Sequence, residues 1–284
     1  MRPIIDAAKS AERFYRIATS PIRLKPDFII IGVARGGTTS LYEYLTKHPN
    51  IAGASKKEIH FFDNYYKKGV SWYRGQFPYT MQKYYAERVQ KKDFITGEAS
   101  PYYIFHPYAA ERLVEYLPKV KLIVLLRNPI ERAFSHYTWS YSWGHEKLSF
   151  EEAIEAEEER IKVHEGELAA RYSFNHQHLS YISRGLYADQ LEKWFSIFPR
   201  EQFLILKSED MYENAAATFK QTIEFLNIPY TEPKALQKEY KQYNKPKIAA
   251  PKKMDPAVRE RLVAYYEPHN AHLYQLLDRD FGWK

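Results

Sequence analysis

A short apolar segment followed by a glycine-rich turn is the feature that most limits how this chain can fold. Residues 27–33, DFIIIGV, are rich in β-branched side chains, which favours a buried strand. Gly36 and Gly37 interrupt the pattern, and residues 39–47 then show helical spacing. A strand, loop and helix in this order are typical of an α/β protein, and the backbone N–H groups at such a helix start can bind a phosphate.

Three further apolar segments repeat the strand signal, at residues 94–96, 120–126 and 202–206. Pro101 and Pro129 follow the first two segments, and each predicts a helix start because proline suits the first helical turn. Strands that alternate with helices favour a parallel sheet covered on both faces. The fold class we predict is therefore α/β, a P-loop-like three-layer fold with a central parallel sheet flanked by helices.

Helical patterns occupy much of the remaining chain. They cover residues 5–17, 149–164, 186–198, 209–226 and 256–277. The acidic helix among them begins at a capping box, Ser149 with Glu152, and is expected to be a solvated surface helix. Residues 232–251 are rich in Lys, Tyr and Pro and predict a loop. Because no repeat or linker divides the sequence, we expect residues 1–284 to form a single domain, with residues 1–26 as an N-terminal helix and lead-in.

Composition narrows the function classes. The chain carries 42 Lys and Arg against 35 Asp and Glu, and its formal charge of +7 favours an anionic partner. Its basic residues are spread along the chain without a known nucleic-acid motif, so no nucleic-acid partner is expected. The sequence has no Cys, which excludes disulfides, and no apolar run long enough to predict a membrane span. The opening residues lack the apolar stretch of a signal peptide, so we expect a cytoplasmic location.

The glycine-rich loop differs from one that binds nucleoside triphosphates. Its spacing copies a Walker A sequence as far as Gly37, but Thr38 stands where that motif has its phosphate-binding Lys. A cation comes earlier instead, at Arg35. The candidate phosphate-binding residues of this loop are Arg35, Gly36, Gly37, Thr38, Thr39 and Ser40.

A second candidate phosphate site follows the apolar segment at residues 120–126. Arg127 stands there, where a Walker B strand would end in an Asp that holds Mg²⁺. Two strand ends thus supply arginines and no metal-binding acid, which predicts a ligand with phosphates at two places and a reaction without a metal. A P-loop kinase for a small metabolite remains an alternative, as does a noncatalytic module that binds polyanions.

These motifs resemble those of the sulfotransferases that use 3'-phosphoadenosine 5'-phosphosulfate (PAPS). GVARGGTTSL at 32–41 is similar to the 5'-phosphosulfate loop, and LRNPIERAFSHY at 126–137 is similar to the 3'-phosphate motif. Within the family, the heparan sulfate N- and O-sulfotransferases are most similar, because KEIHFFD at 57–63, GEASP at 97–101 and RGLYA at 184–188 follow in their order. The resemblance implies in-line transfer of a sulfuryl group from PAPS to a hydroxyl or amine, leaving adenosine 3',5'-bisphosphate (PAP).

In-line transfer needs a base on one side of sulfur and a cation on the other. By resemblance, Glu58 is the catalytic base, His60 assists catalysis, and Asp63 helps to orient the acceptor or the base. Arg35 stands where the heparan enzymes have Lys, and would contact the 5'-phosphate. Because a guanidinium stays protonated, we expect Arg35 to stabilise charge rather than donate a proton.

The remaining contacts to PAPS implied by the resemblance come from two places. Arg127 and Ser135 would bind the 3'-phosphate, one from a strand end and one from the next helix. Lys245 or Lys247 would close over PAPS from a loop that resembles the lid of the family.

The acceptor is less constrained by the resemblance. Ala99 stands where the heparan enzymes have a substrate-reading Lys, and the cysteine pair of their lid is absent. These departures weaken a sulfated polysaccharide as the acceptor. A small molecule, a carbohydrate or a carrier-tethered chain is expected, with Tyr102, Tyr103 and residues 172–181 lining its pocket.

Overall fold

The computed structural model describes residues 2–162, 167–169, 171–231, 251 and 253–283. Their centre is a five-stranded sheet in which every strand pairing is parallel. The strands are β1 (Phe28–Gly32), β2 (Ile51–Gly53), β3 (Ile95–Ala99), β4 (Lys121–Leu126) and β5 (Phe203–Lys207), in the spatial order β2-β3-β1-β4-β5. Parallel neighbours need long crossover connections, which the helices provide.

Helices precede, connect and follow the strands. They are α1 (Arg2–Ala18), α2 (Thr38–Leu45), α3 (Val70–Arg74), α4 (Thr80–Arg88), α5 (Ala109–Tyr116), α6 (Pro129–Ser142), α7 (Phe150–Glu155), α8 (Glu157–Lys162), α9 (Phe174–His178), α10 (Tyr187–Phe195), α11 (Ser208–Glu213), α12 (Ala215–Leu226) and α13 (Pro256–Leu277). Within the described residues, none of these helices combines the length and apolar character needed to cross a membrane.

Both faces of the sheet are buried, because side chains of a strand alternate between them. In β1, Ile29 and Ile31 belong to the core that includes residues of α5, α10 and α13. Phe28 and Ile30 belong to the opposite core, which includes residues of α2 and α12. The expected three-layer architecture, a parallel sheet flanked by helices, is confirmed.

The prediction of a helix starting at Pro101 is wrong. The residues after β3 form turns, and the next helix, α5, begins at Ala109. Backbone N–H groups of this segment remain bonded to β1, since Ser100 N donates to Ile30 O and Ile104 N donates to Ile31 O, both at 3.0 Å. These bonds to the sheet replace the bonds that a helix would make. At Pro129 the same rule succeeds, because Asn128 Oδ1 caps α6.

The acidic segment at 149–164 is also not one solvated helix. It divides at Ala156 into α7 and α8, and the side chain of Glu157 is buried. Its carboxylate accepts hydrogen bonds from the backbone N–H groups of Tyr181, Ile182 and Ser183 at 2.6–2.9 Å. Glu157 therefore anchors the chain that leads into α10.

Other boundaries differ in smaller ways. The helix predicted at 209–226 is interrupted at Asn214, whose side chain caps α12. The short strand β2 was not predicted, and the loop predicted at 232–251 lies almost entirely outside the described residues. The remaining strands lie within a few residues of their predicted positions.

Candidate active site

One cleft lies at the carboxyl ends of the strands, where parallel sheets bind their ligands. Its cavity volume is about 230 Å³. The lining includes Ala34, Arg35, Gly37, Thr38, Thr39, Ser40, Glu58, His60, Pro101, Tyr102, Arg127, Ser135, His136, Trp139, Trp143, Gln177, His178, Arg184 and Tyr212.

The glycine-rich loop presents a helix start to this cleft. Gly37 precedes α2 with φ of 90°, a left-handed conformation that strains residues with a side chain, so the position favours glycine. Thr38 and Thr39 open α2, and the first N–H groups of a helix lack intrahelical acceptors. Together with the helix dipole they form an anion site. Gly36 is buried, and its carbonyl accepts a hydrogen bond from Ser208 Oγ; Gly36 supports the loop rather than lining the cleft.

Arg35 joins the two phosphate motifs that the sequence predicted. Its Nε donates to Ser135 Oγ at 3.2 Å, and its carbonyl accepts from Nη1 of Arg127 at 3.0 Å. The loop after β1, the end of β4 and the helix α6 therefore meet at one point.

This point has an excess of positive charge. Burial and the neighbouring charge of Arg127 lower the pKa of Arg35 to about 10, which still leaves it protonated at neutral pH. Within the described part of the chain, neither arginine forms an ion pair with a carboxylate. Two adjacent guanidinium groups repel each other, so an anion bound between them is favoured.

On the other side of the cleft, Glu58, His60 and Asp63 form a linear array. His60 Nδ1 lies 2.7 Å from Asp63 Oδ2, and His60 Nε2 lies 3.4 Å from Glu58 Oε2. Lys57 Nζ donates to the other Glu58 oxygen at 2.5 Å. The backbone holds the array in place, because Glu58 N donates to the carbonyl of Ala99 at 3.0 Å.

Electrostatics fix the protonation states of the array. Burial alone would raise the pKa of Glu58, but the hydrogen bond from His60 and the charge of Lys57 lower it to about 2. Burial would likewise lower the pKa of His60, but the charge and hydrogen bond of Asp63, together with Glu58, raise it to about 10. At neutral pH, His60 is an imidazolium that holds an ionised Glu58.

Backbone strain is concentrated at the same residues. Arg35, Glu58 and His60 have φ values of 71°, 58° and 56°. A left-handed conformation costs a non-glycine residue about 1–2 kcal/mol. The other described non-glycine residues with positive φ lie at the ends of α12 and α13 and just after α4, where such conformations are common. Strain that persists elsewhere is a feature of functional sites.

A buried layer beneath the array was not predicted from the sequence. Ser100 Oγ accepts from His60 N at 3.2 Å and donates to Glu98 at 2.7 Å. Tyr73 and Tyr103 donate to the other Glu98 oxygen at 2.8 and 3.2 Å. Burial raises the pKa of Glu98 to about 7, against the lowering effect of Ser100 and Tyr73. These buried hydrogen bonds hold the backbone of His60 in place.

Two predicted acceptor contacts need correction. Tyr103 is completely buried, and its hydroxyl accepts from Phe61 N while it donates to Glu98. The Asp63 side chain is also fully buried. Neither side chain lines the cleft, so neither can touch an acceptor there. Asp63 acts instead on His60, which was the other role considered for it.

Tyr102 does line the cleft, as expected. Its hydroxyl lies 2.6 Å from His176 Nδ1, and Gln177 and His178 from the 172–181 stretch line the cleft beside it. Trp139 and Trp143 were missed, although their spacing of four and eight residues from Ser135, in α6 and directly after it, was a usable signal. Lys245 and Lys247 lie outside the described residues.

Comparisons with known proteins agree with the resemblance seen in the motifs. Residues 25–262 match the family model described as Sulfotransferase domain. The chain is 30% identical to heparan sulfate glucosamine 3-O-sulfotransferase 6 of Mus musculus over 94% of this chain and 76% of the relative. It is 28% identical to membrane-associated sulfotransferase kil1 of Dictyostelium discoideum over 91% of this chain, and spans 66% of that relative's length. A solved sulfotransferase structure from Alicyclobacillus acidocaldarius has 30% identity and a TM-score of 0.66, covering 91% of this chain and 98% of that one.

Proposed function

Because the chain belongs to the sulfotransferase family and is a PAPS-dependent enzyme, we propose that its cleft transfers the sulfuryl group by in-line displacement, with Glu58 as the base. The acceptor supplies a hydroxyl or amine and is a small molecule, a carbohydrate or a carrier-bound compound. A kinase reaction and a noncatalytic role are not retained.

The residues on the phosphate side fit PAPS. Arg35 and the N–H groups of Thr38 and Thr39 would bind the 5'-phosphosulfate, and Arg127 with Ser135 would bind the 3'-phosphate. The support for this assignment is the pair of arginines without carboxylate partners in the described structure, which suits a ligand with two anionic groups. PAPS supplies the sulfuryl group, and PAP is the product.

The observation that carries the proposal is the position of the Glu58 array in the same cleft as the two arginines. Glu58 and Arg35 are close enough for the charge of Glu58 to raise the pKa of Arg35 against the lowering effect of burial. Glu58 takes the proton from the acceptor hydroxyl or amine as the new bond to sulfur forms. The bond from sulfur to the phosphate oxygen breaks, and Arg35 stabilises the negative charge left on PAP.

His60 has a positioning role in this scheme. Its Nε2–H faces Glu58 and its Nδ1–H faces Asp63, so the imidazolium aims the carboxylate of Glu58. Asp63 is buried and keeps the ring charged. Together with Lys57, which donates to the other Glu58 oxygen, His60 and Asp63 thereby hold the Glu58 carboxylate in a single orientation, which is the arrangement that proton transfer needs.

A binding and turnover experiment tests the proposal. PAP should raise the melting temperature of the protein without Mg²⁺, whereas ATP with Mg²⁺ should not, because a ligand stabilises only the state it binds. Incubation with radiolabelled PAPS and a mixture of phenols, sugars and amines should give labelled product. The proposal is wrong if PAP produces no shift and no label is transferred to any acceptor.

For the location of the enzyme we propose the cytoplasm, supported by the absence of Cys from all 284 residues. The kil1 relative is described as membrane-associated. Fractionation of cells that express the chain distinguishes the two: recovery with the membrane pellet would contradict the proposal.

A further inference from the structure

The cleft extends well beyond the two phosphate sites, along helix α6. Ser135, Trp139 and Trp143 recur at every fourth residue and all line the cleft. Residues four apart lie on one side of a helix, and eight residues span about 12 Å. The cleft therefore has a phosphate end near Ser135 and an aromatic end near Trp143.

Rings form both walls of this aromatic end. Trp139 and His178 stack, with ring centroids 5.7 Å apart and an interplanar angle of 22°. Trp143 packs on Trp139 with centroids 5.9 Å apart and leaves 51% of its surface exposed. Tyr102 lines the cleft nearer to the array, since its ring meets that of His60 edge to face at 6.5 Å. A large exposed tryptophan at a cleft is a feature of ligand sites rather than of packing.

This end offers almost no charge to an acceptor. No Lys is among the described cleft lining; besides the two phosphate-site arginines, its cations are the His60 imidazolium, which already faces Glu58 and Asp63, and Arg184. The Arg184 guanidinium already donates to Ser180 Oγ at 2.7 Å and to the carbonyls of His176 and Gln177 at 3.0 and 2.7 Å. Burial and the charge of Arg184 lower the pKa of His178 to about 4, so His178 is neutral at pH 7. A polyanion would find no unengaged positive side chain in the described lining of this end.

The geometry points to an uncharged phenol as the acceptor: its ring lies between Trp139 and Tyr102, and its hydroxyl faces Glu58. This inference rests on the proposed function and narrows its acceptor. Aromatic walls and few polar groups suit a flat ring better than a sugar, whose several hydroxyls each need a hydrogen-bond partner.

The strength of the base agrees with this choice. A carboxylate with a pKa near 2 is a weak base. A phenolic hydroxyl, with an ordinary pKa of about 10, loses its proton far more readily than an aliphatic alcohol. The step balances: the phenolic proton goes to Glu58, the phenolic oxygen bonds to sulfur, and PAP departs with the electrons of the broken S–O bond.

Three probe acceptors separate the possibilities, each assayed with labelled PAPS. They are 2-naphthol, methyl β-glucoside and an N-sulfated heparan tetrasaccharide. We expect kcat/KM to be highest for 2-naphthol by at least about tenfold. A preference for either sugar overturns the inference but leaves the proposed function intact, because label would still be transferred. Failure to bind PAP in a parallel calorimetric titration would instead overturn the proposed function.

Variants of α6 locate the acceptor site. Trp139→Ala should raise KM for 2-naphthol by about tenfold, the scale of one lost aromatic contact, while Kd for PAP changes less than about twofold. Tyr141→Ala is the matched control, because Tyr141 is exposed on the same helix, contacts the Tyr137 ring and lies outside the described cleft lining. If Trp139→Ala leaves KM for 2-naphthol at the value of the Tyr141 control, the ring is not bound there and the inference is wrong.

Discussion

Arg127→Ala should separate the 3'-phosphate contact from the rest of nucleotide binding. The guanidinium of Arg127 makes one hydrogen bond in the described structure, from Nη1 to the carbonyl of Arg35 at 3.0 Å. Its other guanidinium donors are available to a ligand. Loss of a charge-assisted contact to a phosphate dianion should cost roughly 2–4 kcal/mol of PAP affinity, which is roughly a 30- to 700-fold rise in Kd.

Adenosine 5'-phosphate is the reference nucleotide against which the loss of PAP affinity is compared. Adenosine 5'-phosphate lacks the 3'-phosphate, so its binding should be reduced only through the lost Arg127 bond to the loop. Because this bond joins Arg127 to the loop and not to the nucleotide, its loss affects the free and the bound protein alike and should raise Kd for adenosine 5'-phosphate much less than Kd for PAP. The difference between the two nucleotides isolates the 3'-phosphate contact.

Isothermal titration calorimetry of both nucleotides against wild type and Arg127→Ala provides the measurement. Arg259→Ala is a suitable control, because that arginine is exposed and pairs with Glu131. Equal losses for the two nucleotides would mean that Arg127 supports the loop and does not bind the 3'-phosphate. Circular dichroism of the variants establishes that each remains folded.

Three other predictions concern the array, the fold and the metal requirement. The pKa of His60 is raised from 6.5 to about 10, so the stability that its charge contributes is full below pH 6.5 and is lost as the pH rises through 10. His60→Asn should therefore lower the free energy of unfolding, measured with urea, by about 1.5–3 kcal/mol at pH 6 and by much less at pH 10.5. Equal losses at the two pH values would contradict the assigned charge. Glu157→Ala should lower the free energy of unfolding by about 3 kcal/mol or more, because three backbone N–H groups lose their acceptor. The control Glu158→Ala, at an exposed residue, should change the free energy of unfolding by less than about 0.5 kcal/mol. Similar values for the two variants would refute the anchoring role of Glu157. Turnover of ready-made PAPS should survive EDTA, since two arginines and helix-start N–H groups supply the positive charge, and a loss restored by Mg²⁺ alone would contradict this.

The sequence predicted the parts of the site that local pattern determines. The strand at 27–33, the glycines of the loop and Arg127 after the segment at 120–126 are each recognisable within a few residues. The structure then brings Arg35, Arg127 and Ser135 into contact because parallel strands place their carboxyl ends at one edge.

Features that depend on distant contacts could not be read in this way. Glu157 stands in a run of glutamates that is typical of a solvated helix. The backbone N–H groups that bind its carboxylate belong to residues more than twenty positions later in the chain. Pro101 follows the local rule for a helix start, but Ser100 and Ile104 bond to β1 and hold the segment between them in turns. Tyr103 looks the same as Tyr102 in the sequence, and only packing shows that Tyr102 lines the cleft while Tyr103 does not.

The central claim, that Glu58 is the base, is tested most directly by the transfer rate of Glu58→Gln. The variant keeps the shape of the side chain and removes its ability to accept a proton, so kcat should fall by about 10² or more. Kd for PAP should stay within about twofold of wild type, and Glu201→Gln, an exposed surface change, should alter neither quantity. Retention of more than about half of the wild-type kcat by Glu58→Gln would show that Glu58 is not the base.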